Sequence, residues 1–152
     1  MPAPGVWSRR DVSYRIPKAM LDCDRLISIA PLKIDKGRPS LTVDNYRTLL
    51  GTAQASDASP DITALDLFGF HPADYVVLGG THVLRNGSRI RHNLVLAGAI
   101  ATAADAVGAA VLNVNPEAVP HLQTANERGL GHAKLDGIWT LGNEIKDARI
   151  AS

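Results

Sequence analysis

Leu26-Ile27-Ser28-Ile29-Ala30-Pro31-Leu32-Lys33 is a short apolar run rich in isoleucine, stopped by a proline and followed at once by a lysine. Its length and β-branched content predict a strand over Leu26 to Ala30 buried on both faces. Pro31 has no N–H to give to a sheet ladder, so the strand is expected to end there. Lys33 would then emerge beyond the carboxyl end of the strand, where open α/β sheets place their ligands. The residues after it, Ile34-Asp35-Lys36-Gly37-Arg38-Pro39-Ser40, read as a polar loop. Lys33 is therefore the first candidate for holding an anionic group, with a solvated loop lysine paired to Asp35 as the plainer account.

Working outward, Ile16, Ala19, Met20 and Cys23 fall at spacings of three and four, the stripe of a short amphipathic helix over 17–23. Downstream, Thr42 can cap a helix over 43–50 that Gly51 would terminate. Residues 52–60 are small and polar and read as a mobile surface loop, and residues 1–10 as a loose leader. A second strand is expected over Ala73 to Leu78, ended by Gly79-Gly80. Asn86-Gly87 between two β-like runs is a strong hairpin signal, because a type I′ turn needs positive φ at both central positions. Asn93 to Ala97 reads as a third strand and Ala101 to Leu112 as a helix of small residues able to lie close on a sheet. Asn115-Pro116-Glu117 starts a helix expected to reach Arg128 and stop at Gly129. Ile138 to Leu141 reads as a fourth strand. The alternation predicts one α/β domain over 1–152: a layered, mainly parallel sheet flanked by helices, with one β-hairpin excursion.

Composition narrows the function. The chain has 152 residues, 45% of them hydrophobic and 20% charged, with formal net charge +1. That balance projects no field toward nucleic acid or an anionic membrane, and neither is expected as a partner. Ser8-Arg9-Arg10-Asp11 has the outline of a twin-arginine signal but no apolar stretch follows it. Leu94 to Leu112 is interrupted by Asp105, which costs about 2.5–3.5 kcal/mol at the centre of a membrane helix on insertion scales. The expectation is a cytoplasmic protein. A single cysteine, Cys23, excludes an internal disulfide and any all-cysteine metal site made by this chain alone. His121 and His132 lack ligand spacing, so no metal site is expected.

Several of these segments resemble the domain of unknown function family 362. Its strand and Pro-Lys-Leu-Lys-Thr-His-like turn match Ala30-Pro31-Leu32-Lys33-Ile34-Asp35, with Thr42, Asn45 and Gly51 in the pattern beyond. The match resumes in Asn93 to Gly98, through Ala104-Asp105-Ala106-Val107, to Pro120-His121-Leu122 and Glu127-Arg128-Gly129-Leu130-Gly131. The resemblance covers about residues 17–142. Asp35 replaces the family's histidine, Asp44 its lysine, and Ala99-Ile100 a common Asp-Pro. Family members begin with further α/β units, so the resemblance implies a truncated form. Many also carry ferredoxin-type cysteine motifs, which implies redox work. Here an iron–sulfur cluster would have to come from another chain or domain, and a homo-oligomer or a ferredoxin-like partner is expected.

The resulting ligand-binding candidates are Lys33, Thr42, Asn45, Asp105, Arg89 and Arg91. The two arginines share one face of the hairpin arm, near His82, Arg85 and His92, and suit bidentate pairing with phosphate or carboxylate. Their plainer role is to keep a solvated edge from aggregating. Lys33 and Asp105 are expected to face one another in a crevice at the carboxyl edge of the sheet, binding a small anionic molecule, with a dipole-stabilised or structurally paired acid as the plainer account of Asp105. A scaffold packing on a partner is the alternative, and it predicts a flat apolar patch instead of a converging pocket.

Overall fold

The computed structural model describes residues 2–4, 13–50 and 60–151. In chain order the elements are β1 (Pro2–Pro4), β2 (Ser13–Arg15), α1 (Lys18–Asp22), β3 (Ile27–Ala30), β4 (Lys33–Asp35), β5 (Arg38–Ser40) and α2 (Asn45–Thr48). They continue as α3 (Pro60–Phe70), β6 (Tyr75–Arg85), β7 (Ser88–Gly98), α4 (Ala101–Val111) and α5 (Pro120–Glu127), with 3₁₀ turns at Pro116–Ala118 and Leu135–Gly137. The class is α/β, as the pattern of elements predicts.

β6 is the spine. β3 pairs parallel with its first half, Ile27 opposite Tyr75 through Ala30 opposite Leu78, and β4 pairs parallel with its far end, Lys33 opposite Leu84. Pro31 does end β3, but the chain resumes along the same edge of β6, with Leu84 N–H donating to the Leu32 carbonyl at 2.9 Å. The start of both strands is pinned by Asp74, whose carboxylate accepts from Leu26 N at 2.9 Å and Arg25 Nη1 at 2.6 Å. Those two donors hold its carboxyl below the usual range. On the other edge, β7 runs antiparallel to β6 along nearly its whole length. The residues after Lys33 are no loose loop: β4 and β5 form a tight antiparallel hairpin, with Lys36 and Gly37 at positive φ in its turn.

Asn86-Gly87 makes the expected turn, both residues at positive φ, yet the strands it joins are longer than the sequence suggests. Gly79-Gly80 does not end a strand; β6 passes through both glycines at φ +106° and +131°. A Cβ on Gly79 would collide with the Leu94 carbonyl of β7, so this close approach admits glycine alone. The register shifts here between Gly80 and His82, and Asn93 takes positive φ opposite. The expected strand at Asn93–Ala97 is thus the second half of β7, beyond a bulge.

α4 lies on one face of β6 and β7. Its Gly108 lets it sit tightly, for a Cβ there would come within 3.2–3.3 Å of Leu78, Leu32 and Leu41 side chains. Under it a core forms from Leu32, Ile34, Leu78, Val83, Ala106, Ala109 and Leu122. A second core joins Tyr14, Ile16 and Met20 to Val43, Tyr46, Leu65 and Phe68, with the Tyr46 and Phe68 rings edge to face at 5.6 Å. Burial raises the pKa of Tyr46, whose hydroxyl donates to the His71 carbonyl at 2.9 Å.

Other expectations are corrected. α2 spans four residues instead of 43–50, because the Thr42 hydroxyl is committed elsewhere and caps nothing; Gly51 lies outside the described residues. The helix expected from Asn115 breaks at Val119 and restarts at Pro120 as α5, though Asn115 does cap the first turn through Glu117 N and Gly129 closes the second at φ +70°. Ile138–Leu141 forms no strand, and Trp139 and Leu141 are 96% and 99% exposed. The loop expected at 52–60 lies outside the described residues up to 59, and Pro60 opens α3. Of the leader, Pro2–Pro4 pair with β2 and residues 5–10 lie outside the described set. Among the described residues no helix is long and apolar enough to cross a membrane.

Candidate functional site

Small residues bring α4 so close to the sheet that Asp105, on its second turn, is wholly buried. A carboxylate there costs several kcal/mol unless donors meet it, and three do. Thr42 N reaches Oδ1 at 2.9 Å, Thr42 Oγ1 the same oxygen at 2.6 Å, and Val43 N reaches Oδ2 at 3.0 Å. Two stretches 63 positions apart are thereby clamped together.

The network continues outward. Ser28 Oγ donates to the Thr42 carbonyl at 3.0 Å, and Asn45 Nδ2 donates to Ser28 Oγ at 2.9 Å and to the Ile29 carbonyl at 3.0 Å. On the far side of Asp105 lies buried His121 of α5, its Nε2 3.5 Å from Asp105 Oδ2 and its Nδ1 3.9 Å from Asp61 Oδ1. His121 Nε2 has no hydrogen-bond partner among the described residues. Asp61 in turn accepts from Arg38 Nη2 at 2.7 Å, and Asp44 stands 3.9 Å from both Arg38 and Arg47. A parallel device ties β2 to α3 and α5: Asp66, buried in α3, accepts from Tyr14 OH at 2.9 Å and from Arg128 Nη1 at 3.1 Å. Burial, and then the Asp66 carboxylate, push Tyr14 up to about 12.

Thr42 and Asp105 therefore meet directly, and Asn45 joins them through Ser28 and the Thr42 carbonyl. Their hydrogen bonds go to one another, to Ser28 and to backbone, which is a fastening and not an empty cradle. Lys33 does not join them. It alternates with buried Leu32 and Ile34, so its side chain stands on the opposite face of the sheet from α4 and Asp105. The expected Lys33–Asp105 crevice is absent, because Asp105 finds its donors in backbone N–H groups.

Lys33 instead joins the two arginines. It lies opposite Leu84, which lies opposite Arg89, and one row along His82 lies opposite Arg91. Cross-strand partners share a face, so Lys33, Arg89 and Arg91 stand together on the open side, and none forms an ion pair with a described residue. Arg85 and His92 face away, toward the carbonyls of Ala151 and Ala148.

The same face continues toward the start of β6 in apolar residues. β3 is not buried on both faces as expected: Ser28 and Ala30 are buried, while Ile27 and Ile29 are 57% and 70% exposed. Ile27 aligns with Tyr75, Ile29 with Val77, Val77 with Ala97 and Gly79 with Val95, which is itself 63% exposed. Sequence reasoning missed this patch, since an apolar run carries no mark of which side is covered. A groove of about 700 Å³ runs along β7, between Leu94–Gly98, one flank of α4 and the segment 137–143, and shares Val95 with the patch.

Among the described residues no three histidine, cysteine, aspartate or glutamate side chains gather as a metal site. Cys23, half-buried, has its Sγ 3.3 Å from the Met20 carbonyl and 3.9 Å from His71 Nε2. Comparison with protein-family models, curated proteins and solved structures finds no match to this chain.

Proposed function

We propose that this chain is an interaction module that docks another protein on the open face of its sheet, against a partner surface that is apolar with an acidic end. The observation that carries this is the row of exposed large apolar residues, Ile27, Ile29, Tyr75 and Val95, aligned on one face of β3, β6 and β7. Singly exposed apolar side chains need no explanation, whereas a contiguous patch marks an interaction surface. Charge complementarity selects the partner: Lys33, Arg89 and Arg91 continue the patch with Asp35 beside Lys33, and none of the three cations forms an ion pair with a described residue. The Asp105 carboxylate supports a structural role, because both its oxygens are consumed in holding α4 to the Thr42 turn, while His121 Nε2 beside it has no hydrogen-bond partner among the described residues. Resemblance to the domain of unknown function family 362 adds the proposal that the partner belongs to a redox assembly.

A small anion is the second reading, favoured by the same three cations, which stand in adjacent rows of the sheet and pair with no carboxylate among the described residues. They stand on a flat strand surface, which gives a small ligand little enclosure compared with an ordinary ligand pocket.

Peptides selected from a random library against the immobilised chain test the docking reading. They should combine apolar residues with aspartate or glutamate. Ile29→Glu should abolish their capture, and Leu141→Glu, in the exposed segment after the second 3₁₀ turn, should leave it intact. Selected peptides indifferent to Ile29→Glu, or none at all, would overturn the reading. So would a stable dimer that Ile29→Glu dissolves, since the face would then belong to a second copy.

A further inference from the structure

We infer that the groove along β7 is a binding site for a neutral, apolar small molecule, and that residues 138–143 form a strap that closes over it. The lining carries the chemistry. One wall is Leu94 and Leu96 of β7, a second is Ala103, Ala104 and Val107 of α4, and the third is the segment 137–143. Charged residues make up 20% of the chain, yet no Asp, Glu, Lys or Arg is among the residues that line this groove. An ion would lose water there and gain no counter-charge, whereas an uncharged apolar molecule exchanges water for aliphatic contact. The volume of about 700 Å³ falls within the range of roughly 300–1,000 Å³ for small-molecule pockets.

The third wall is pinned at its ends and free between them. Ile138 N donates to the Leu135 carbonyl at 3.0 Å, and beyond the strap His92 Nε2 lies 2.8 Å from the Ala148 carbonyl. Residues 139–143 make no backbone-to-backbone hydrogen bond with a described residue. Gly137 and Gly142 flank the apolar stretch, each with open space where a Cβ would stand, and Gly142 sits at φ +98°. Trp139 and Leu141 are almost wholly in water beside an uncharged groove. A ligand in the groove offers these two side chains contacts that the open strap lacks, and that difference draws the strap closed.

A further strand, from this chain or a second copy, is the poorer occupant. β7 pairs only with β6 among the described strands, so its outer edge is open. An added strand would lie in the plane of the sheet, whereas the groove extends beside that plane against Ala103, Ala104 and Val107. The groove touches the docking face at Val95 but takes none of Ile27, Ile29 and Tyr75, so the two surfaces can be tested apart.

The test uses the full chain with Trp7→Phe, which leaves Trp139 as its one tryptophan. The probe N-phenyl-1-naphthylamine, an uncharged apolar fluorophore, should brighten saturably at a single molecule per chain. 1-Decanol, which does not absorb, should displace it, move Trp139 emission to shorter wavelength and shield Trp139 from acrylamide. Ala103→Phe, which fills the groove from α4, should weaken probe binding about ten-fold or more while far-ultraviolet circular dichroism stays unchanged. Ile29→Glu should leave probe binding intact. No saturable binding, or binding lost in Ile29→Glu and kept in Ala103→Phe, would overturn the site. Trp139 unmoved by 1-decanol would overturn the strap. Trp139 already shielded without a ligand would also overturn the inference, giving the groove to a second copy if sedimentation shows a dimer and to the strap alone if it shows a monomer.

Discussion

Asp105 shows how a residue can be read correctly as unusual and still be given the wrong partner. A lone carboxylate among alanines and valines must find donors, and the nearest cation by topology was Lys33. The donors are the backbone N–H groups of Thr42 and Val43 and one hydroxyl, and backbone donors leave no signature in a sequence. Removing the acceptor strands them. Asp105→Ala should destabilise the protein by about 3–5 kcal/mol, and Thr42→Val, which keeps both backbone bonds, by about 1–3 kcal/mol. In urea titrations the double variant should fall short of the sum of the singles by about 0.5–3 kcal/mol. His121→Leu should cost less than Asp105→Ala, since Nε2 has no hydrogen bond to lose. Tyr14 carries a pH signature. With its pKa raised to about 12 in the fold, it favours the native state fully below the ordinary tyrosine value near 10. That contribution is lost as pH rises from there through 12, so urea midpoints should fall in this window, and less steeply in Tyr14→Phe.

Elements were legible where their signals are local. The Asn86-Gly87 turn, the short α1 and the small-residue α4 follow from turn chemistry and periodicity. α3 was not, because it is buried nearly all round from Thr63 to Phe68 and so presents no polar stripe to set its period. Gly79-Gly80 misled for a related reason. A glycine pair reads as a stop when its cause, the β7 backbone pressing on β6, is 15 residues away at Leu94. Two glycine substitutions separate these causes. Gly87→Ala keeps open space around its new methyl and should cost about 1–2 kcal/mol from its left-handed backbone alone. Gly79→Ala adds a collision with the Leu94 carbonyl, so its loss should exceed that of Gly87→Ala, into the range of about 2–4 kcal/mol. Thermal unfolding of the two variants side by side decides this.

At the scale of the whole molecule, the α/β class was legible from the order of elements, because strands and helices must be layered to bury their apolar faces. Which face of the sheet is covered was not. Leu26–Ala30 looks the same in sequence whether its isoleucines point inward or outward, and only the placement of α4 shows that Ser28 and Ala30 take the inner side. The docking account stands on the exposure of Ile27 and Ile29, together with Lys33, Arg89 and Arg91, which continue the patch and pair with no carboxylate among the described residues. It is tested most directly by nuclear magnetic resonance titration of the labelled chain with a library-selected peptide that combines apolar and acidic residues. The account predicts saturable shifts at Ile27, Ile29, Tyr75, Val95, Arg89 and Arg91, with Val107, on the α4 flank of the groove, and Trp139, on its 137–143 side, unmoved. Shifts confined to Val107, Trp139 and their neighbours, with the isoleucines of β3 unchanged, would contradict it.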